Sequence, residues 1–588
     1  MTVHDPAPRP YRPAPRAPMG RASMPRAASL VRLLPSWRWL SEGILRIEHA
    51  FERARAESRP LEDTRVRIAF VTAVFCLVFV VLGVFAARAA LVVPAAGARG
   101  SVAGQLTRTD MVDRNGQILA TNITHYGLYI DAREVWDRDL ARAQILRALP
   151  EVPTKRLDFV LSERRRLVVM NGLTPGQREA IHALGLGGVT FELENQRSYP
   201  LGGAAPQVIG RTDPGGAGLS GAERAFDAEI RAAGRTAEPF ALSIDLRVQG
   251  VVESELAAAV AATGAKGGVA IVTDVQTGEV LGMASWPFDT LNRAVAANYE
   301  MGSVFKSFTV AAGLDTGKAD MDTLFDATGD LMVGNRRIED YHAKNRILTL
   351  EEVYLASSNI GTSRLAIDLG PGTMQDYFQR LGLLDPAPIE LKETAAPIRP
   401  RDWSDSTLSS LSFGYGISIT PAQMMAAMGA LTNGGRFVPL SLRKGGARNA
   451  QTRQVVSEAT SATILDLMRR NVAKKGGSGG LALAPGLRLG GKTGSAEKLF
   501  QGRYREDLAI GSFMAVFPTD GPVTAKRYAI LVLIDEPSTW PRTGGYVAAP
   551  AVGRIADRIA PFLGVQRRAD RWSTADGRRI PQPGEVQP

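Results

Sequence analysis

A run of 20 residues without a charge, Ile68 to Ala87 ("IAFVTAVFCLVFVVLGVFAA"), constrains this chain more than any other feature. As a helix it matches a bilayer core of roughly 30 Å, so residues 68–88 are expected to form a single transmembrane span. Arg65 and Arg67 precede it, and residues 1–67 hold 13 Arg and no Lys against 7 acids. The positive-inside rule then places the N-terminus in the cytoplasm and everything after Arg88 outside. The competing reading is a cleaved signal peptide, because "AARAA" offers small residues. Signal cores, however, run about 7–15 residues and lie near the N-terminus. The sole cysteine, Cys76, sits inside the run. That excludes disulfides within the chain, cysteine-ligated zinc and a soluble cysteine nucleophile. The net charge of +11 raises nucleic-acid binding as an option. The arginines crowd beside the apolar run, which favours a membrane explanation over a nucleic-acid one.

The run divides the chain. Residues 1–36 are rich in Pro, Arg and Ala and cannot bury enough apolar surface to fold, so they are expected to be disordered within an Arg/Pro-rich cytoplasmic arm over 1–67. Within it, Trp37 to Glu57 has helical spacing and reads equally as a helix on the inner membrane surface or a short solvated one. Residues 89–235 read as an extended, mostly-β domain of short strands and turns, with a hairpin at Asn115-Gly116 in "DRNGQILA". Near Gly234 the pattern changes to strand, long helix and a hairpin turning at Gln276-Thr277-Gly278. Helical segments follow from 303 to about 470. "EDLAIGSFMAVFP" and "RYAILVLIDEP" then read as strands, and "APAVGRIADRIAPFLG" as a closing helix. The multidomain α+β expectation is therefore a second domain over 236–565, one antiparallel sheet flanked by helices. Residues 566–588 read as a disordered tail.

Two chemistries compete for "GLRLGGKTGSAEK". Its first eight residues fit the phosphate-loop pattern, and "ILVLIDEP" further on resembles a magnesium-binding strand. A phosphate loop needs a strand before it and a helix at its Gly-Lys-Thr. Here Gly494 follows at once, then a polar, turn-like stretch, and too little chain remains for a nucleotide domain. The better reading starts at "YEMGSVFKSFT". Ser303 opens an apolar helix and Lys306 stands on the same face three residues on. Serine needs a base to become a nucleophile, and a lysine supplies one when burial or a nearby cation lowers its pKa. The sequence holds two further S-x-x-K pairs, Ser441/Lys444 in a Gly/Arg loop and Ser495/Lys498. Only the first begins an apolar helix. It is followed by Ser357-x-Asn359, the only S-x-N, and then by Lys492-Thr493-Gly494, in a chain with 12 lysines. A Ser-His-Asp triad finds only His342 between residues 240 and 565, in the polar loop "EDYHAKN", and no His/Cys cluster suggests a metal.

The order S-x-x-K, S-x-N, K-T-G is that of penicillin-binding proteins and serine β-lactamases. With "SSNIGTS", "LSFGYGISITPAQ", "GKTGSAEK" and "GGYVAAPAVGRI", residues 236–565 resemble the transpeptidase domain of class B penicillin-binding proteins, of the cell-division type more than the elongation type. "DRNGQILATN", "ENQRSYPLGGAAPQVIGRTD" and "GLSGAERAFD" resemble the pedestal (dimerisation-like) domain of that class. The pattern departs from the family at Met301, where Pro is common, at Ser495 for Thr, and at Thr109-Asp110, where a glycine is usual.

The resemblance implies a serine D,D-transpeptidase that crosslinks peptidoglycan stem peptides during septum synthesis and is acylated by β-lactams. It implies Ser303 as nucleophile, Lys306 as general base, Ser357 as proton relay and Asn359 as substrate and Lys306 partner. Lys492 would bring positive charge beside Ser357. Thr493, Gly494 and Ser495 would bind substrate, with backbone N–H groups of Ser303 and Ser495 as the oxyanion hole. No cofactor or metal is implied. The implied setting is the cell inner membrane at the division septum, with the catalytic domain periplasmic. The implied partners are peptidoglycan strands, the membrane, a polytopic glycosyltransferase and other division proteins, without nucleic acid. An elongation-type transpeptidase, a β-lactamase and a β-lactam sensor remain the alternatives.

Overall fold

The computed structural model describes His49, Glu52, Ile68 and residues 71–83, 108–213, 215–446, 452–576 and 578–580. Apart from His49 and Glu52, both exposed and helical, the expectations for the N-terminal arm lie outside the described residues. Of the apolar run, Ile68 and residues 71–83 are helical, with Phe75, Leu77, Phe79 and Leu82 exposed. Among the described residues no helix is long and apolar enough to cross a membrane; Ala69, Phe70 and residues 84–88 of the expected span lie outside them.

Residues 101–588 make one compact unit. Its pedestal is a sheet of β1 (Met111–Val112), β2 (Ile118–Asp131), β3 (Arg166–Leu173) and β4 (Val189–Ser198), with β3 and β4 antiparallel to β2. The Asn115-Gly116 turn appears where the sequence put it: Asp113 N–H meets the Gln117 carbonyl, and Gly116 takes a φ of +89°. The pedestal is not mostly β, however. Helices Arg138–Ala148, Thr154–Ser162 and Pro175–His182 pack beside the sheet, and three shorter ones follow by Ala233. These helices have at most 11 residues and largely polar exposed faces, so their period is too short to separate from turns. Their caps are explicit: Asp137 accepts from Leu140 N–H, and Thr174 with Gln177 forms a capping box. The departure at Thr109-Asp110 has a local role, since Asp110 accepts from the Thr121 hydroxyl and Thr109 donates to the Glu238 carbonyl.

The strand β5 (Phe240–Ala241) that opens the second domain's sequence pairs in parallel with β1, so it extends the pedestal sheet. Helix α1 (Leu246–Thr263) follows, capped by Asp245 and stopped by Gly264 at a φ of +57°. Strands β6 (Gly267–Asp274) and β7 (Val280–Trp286) form the expected hairpin, with the Asp274 side chain accepting from the Gln276 and Thr277 N–H groups. The helices that follow include α2 (Lys306–Asp315), α3 (Leu350–Ala356), α4 (Asn359–Arg380) and α5 (Glu458–Ala473). Three late strands, β8 (Gly490–Phe500), β9 (Arg503–Phe517) and β10 (Tyr528–Asp535), complete an antiparallel sheet in the order β8-β9-β10-β6-β7.

Both faces of this sheet are buried. Along β10, Leu531 and Leu533 join the core that holds Phe308 of α2. Ile530, Val532 and Ile534 join the core that holds α1 and the closing helix α6 (Ala549–Ile559). Burial on both sides is why "YAILVLI" reads as an unbroken apolar run. At the sheet's margin β8 has β9 as its only strand partner among the described residues, so its other edge faces no strand.

The tail reading fails for the part described. Asp570 accepts from the Trp572 and Ser573 N–H groups and pairs with Arg469 of α5, and Trp572 is 6% exposed. One buried indole and one local carboxylate cap give this segment its structure, although its composition is polar.

Candidate active site

Ser303 lies in a 3-10 turn, Gly302–Phe305, that runs into α2, so the S-x-x-K spacing becomes one tight turn. Lys306 is 0% exposed. Its amine lies 3.1 Å from Ser303 Oγ, 3.1 Å from Ser357 Oγ and 2.7 Å from Asn359 Oδ1, and it also meets the Ser357 carbonyl oxygen. The Asn359 amide is oriented by its Nδ2, which donates to the Glu339 carbonyl at 2.9 Å, so Oδ1 faces the lysine. Two of the four oxygens, the Ser357 carbonyl and Asn359 Oδ1, only accept. A neutral amine has two N–H groups for them and a lone pair left for a serine hydroxyl. Burial, then the charge of Lys492, hold the Lys306 amine well below the usual lysine range, against an opposing pull from Asp340.

Ser357 ends α3 in the left-handed region, at φ +58° and ψ +43°. A serine there stores backbone strain, and the turn it makes brings both its carbonyl and its hydroxyl to Lys306. Asn359 is the first residue of α4.

The third motif arrives from the sheet. Lys492 is 0% exposed on β8 and gives its amine to Ser357 Oγ at 3.0 Å, so two lysines meet on one hydroxyl. Burial pushes the Lys492 amine down to about 7. Burial lowers both amines and the charge of Lys492 lowers Lys306 further, so the pair resists holding two protons at once. Thr493 Oγ1 donates to Ser478 Oγ at 2.9 Å, and Ser478 is itself held by Asn471, whose amide also ties Gly491. Ser495 Oγ accepts from Gly544 N–H at 3.0 Å.

Glycines let these backbones touch. A Cβ on Gly302, at φ +56°, would sit 2.2 Å from the Ser495 carbonyl oxygen and 2.9 Å from Ser495 N. A Cβ on Gly494 would sit 2.3 Å from the Met301 carbonyl oxygen. The nucleophile turn therefore lies directly against β8 at Ser495. Glu497 N–H donates to the Tyr415 hydroxyl at 3.1 Å, away from β9. By the two-residue alternation of a strand, Ser495 N–H points to the same open edge, toward Ser303.

All eight site residues expected from the sequence, Ser303, Lys306, Ser357, Asn359, Lys492, Thr493, Gly494 and Ser495, thus converge in one region. The rival patterns do not. Gly490–Phe500 is a strand in which Lys492 pairs with Met514, with no loop and helix to hold a phosphate. Lys498 is held by Asp535 and Glu536, and the Ser441 hydroxyl by Glu390. His342 is exposed and stacks on Tyr341. Sequence reasoning missed Asp340, Ser478, Asn471 and Tyr415. Asn471 lies in helix α5 and the others in polar or glycine-containing segments, and none carries a spacing signal toward the residue it meets.

Two family models match the chain: the penicillin binding protein transpeptidase domain over residues 268–557, and the penicillin-binding protein dimerisation domain over residues 105–232. Among similar proteins, a probable peptidoglycan D,D-transpeptidase FtsI of Caulobacter vibrioides is 50% identical over 92% of this chain and 96% of that protein. The peptidoglycan D,D-transpeptidase FtsI of Escherichia coli is 29% identical over 80% of this chain and 86% of that protein. Among solved structures, the transpeptidase domain of Burkholderia pseudomallei penicillin-binding protein 3 is similar with a TM-score of 0.51 and 31% identity, covering 55% of this chain and 96% of that one. Penicillin-binding protein 3 of Mycobacterium tuberculosis shares the fold, with a TM-score of 0.61 at 24% identity, over 81% of this chain and 99% of that one. Matched along nearly its whole length by one such relative, and carrying all three motifs in one place, this chain belongs to the class B penicillin-binding proteins of the cell-division type.

Proposed function

We propose that this chain is the septal peptidoglycan D,D-transpeptidase of its cell, acting through an acyl-enzyme on Ser303. The observation that carries the reading is the environment of Lys306: a buried amine with two pure acceptors, a lowered proton affinity and a serine hydroxyl 3.1 Å away. As Ser303 Oγ attacks the D-Ala-D-Ala carbonyl carbon, its proton passes to the Lys306 lone pair. The new C–O bond leaves an oxyanion facing the N–H groups of Ser303 and Ser495; one such donor is worth about 10²–10³ in rate. The C–N bond breaks as the Ser357 hydroxyl protonates the departing D-Ala amine, with the proton resupplied from the lysine pair. A side-chain amine of a second stem peptide then attacks the ester, and its lost proton returns through Lys306 to Ser303. Lys492, with the hydroxyls of Thr493 and Ser495, meets the substrate carboxylate. The open edge of β8 offers backbone hydrogen bonds to a peptide laid along it. A β-lactam carbonyl acylates the same serine.

The exposed apolar helix at Val71–Gly83 and the arginine-rich sequence before it support a single membrane span over 68–88, an N-terminal cytoplasmic arm over 1–67 and a periplasmic remainder. In that arrangement 89–235 serves as pedestal and 236–565 as transpeptidase domain. The family resemblance supports a polytopic glycosyltransferase and other division proteins as partners. The test is reconstitution with a glycosyltransferase and lipid-linked precursor, followed by mass analysis of the digested product. Crosslinked dimers from wild type and none from Ser303→Ala are expected; equal crosslinking by both would refute the reading.

A further inference from the structure

We infer that Asp340 is a positioning residue of this active site, a carboxylate that fixes Asn359 and sets the field around the Lys306 amine. The inference rests on the reading of Lys306 as the base. Asp340 stands in the polar loop between the short strands Arg336–Ile338 and Arg346–Thr349, 19 residues before Asn359.

Its two oxygens are committed to one place. Oδ1 accepts from the backbone N–H groups of Asn359 at 2.5 Å and Ile360 at 3.0 Å, the first two residues of α4. Oδ2 accepts from the Ser358 hydroxyl at 2.6 Å. Ser358 Oγ in turn accepts from Gly361 N–H at 3.0 Å. The first three orphan donors of α4 are thus met by two linked side chains, and the link runs through Asp340. The preceding residue finishes the clamp, because the Glu339 carbonyl holds Asn359 Nδ2 at 2.9 Å. Asn359 is gripped at its backbone and its amide, which leaves Oδ1 one direction, toward Lys306 at 2.7 Å.

A neutral helix cap would satisfy the backbone equally well. The carboxylate adds a negative charge that acts on Lys306 in opposition to Lys492 on β8. The other groups around the amine carry no charge: Ser303 from the turn before α2, Ser357 and Asn359 from the segment joining α3 and α4, and the Phe413 ring at 6.0 Å. Lys306 therefore stands between one cation and one anion, and Asp340 tunes the pH at which its lone pair becomes available.

The test uses the full-length chain in detergent, a fluorescent penicillin as probe, and the second-order acylation rate measured across the pH range. Asp340→Ala removes both grips, and a loss of about 10–100-fold is expected from a loosened Asn359. Asp340→Asn keeps an oxygen for the two backbone donors, removes the charge and places an N–H donor where Oδ2 accepted from the Ser358 hydroxyl. It should lose less than about 10-fold on the alkaline plateau, and its acid limb should move to lower pH, because protonated Lys306 loses a stabilising neighbour. A merely structural cap would lower the melting temperature and leave that limb in place. An Asp340→Asn limb coincident with wild type overturns the inference, whatever Asp340→Ala does. No acylation of wild type at any pH would instead overturn the reading of the site.

Discussion

Two clusters of buried cations in this molecule are built on opposite terms. In the pedestal, Arg108 and Arg197 have side chains 4% exposed and share Glu223, which is 0% exposed; Arg108 also pairs with Asp227. Arg197 adds the Thr109 carbonyl and Arg108 the Gly216 carbonyl, so the cluster joins β4, the segment before β1 and two short helices. In the active site, Lys306 and Lys492 are equally buried, yet among the described residues neither has a carboxylate among its hydrogen-bond partners. Desolvation disfavours charge in both places. The pedestal counters it with paired carboxylates. The active site gives neither amine a hydrogen-bonded carboxylate, so Lys492 is pushed down to about 7 and Lys306 is held well below the usual lysine range. Arginine suits the first task because it keeps its proton, and lysine the second because it can lose one.

The contrast is open to direct attack. The largest effect is expected from Lys306→Met, which removes the base but keeps an unbranched chain of similar length. Acylation by penicillin should fall by about 10³–10⁴-fold, at the upper end for a general base, while the melting temperature holds or rises. Stopped-flow labelling and a thermal melt on one preparation give both numbers.

Glu223→Gln should show the reverse. It leaves Arg108 and Arg197 without their shared carboxylate, and a loss of about 3–5 kcal/mol in stability is expected. Acylation per folded molecule should stay at the wild-type rate. A stable Glu223→Gln protein with weakened acylation would break the division between the clusters.

A smaller change should follow at Lys492. Lys492→Ala removes a charge-assisted hydrogen bond, expected to be worth about 1.5–3 kcal/mol, or about 10–100-fold in acylation rate. Lys492→Arg keeps the charge in a longer, planar group and should retain more.

A separate effect is in stability against pH. Lys492 titrates at about 7 when folded, below its unfolded value near 10.5, so the folded state binds fewer protons between those values. Stability should therefore rise with pH across that window, and the rise should shrink in Lys492→Met. Asp227 in the pedestal has the same sign in a separate, acidic window. Burial raises its affinity for a proton, but the Arg108 hydrogen bond and charge outweigh it, and the carboxyl lies below its ordinary range. Its contribution is present above that range and is lost as pH falls through the folded value. Urea melts at a series of pH values separate the two windows.

The sequence made half of this contrast readable. Ser303 and Lys306 stand one helical turn apart, and Ser357 and Asn359 lie across one short connection, so linear spacing carried their proximity. Lys492 was readable only as part of an ordered set, since nothing local says that β8 comes to Ser357. Asp340 and Ser478 were invisible, because a loop brings each to its partner and no period records a loop's path. The pairing of Arg108 and Arg197 with Glu223 carries no local signal for the same reason. Glu223 lies 115 residues from Arg108. The tail after residue 566 shows the limit of composition: one tryptophan and one aspartate order a segment that reads as polar and structureless.

The most direct measurement is intact-protein and peptide mass analysis after exposure to benzylpenicillin, on wild type, Ser303→Ala and Lys306→Met. The expected result is one penicilloyl adduct in wild type, mapped to the peptide containing Ser303 and persisting after free drug is removed. Ser303→Ala should carry none, and Lys306→Met should acquire it only slowly. An adduct on another residue, labelling of Ser303→Ala, or full-rate labelling of Lys306→Met would contradict the unpaired buried lysine as the base that activates Ser303.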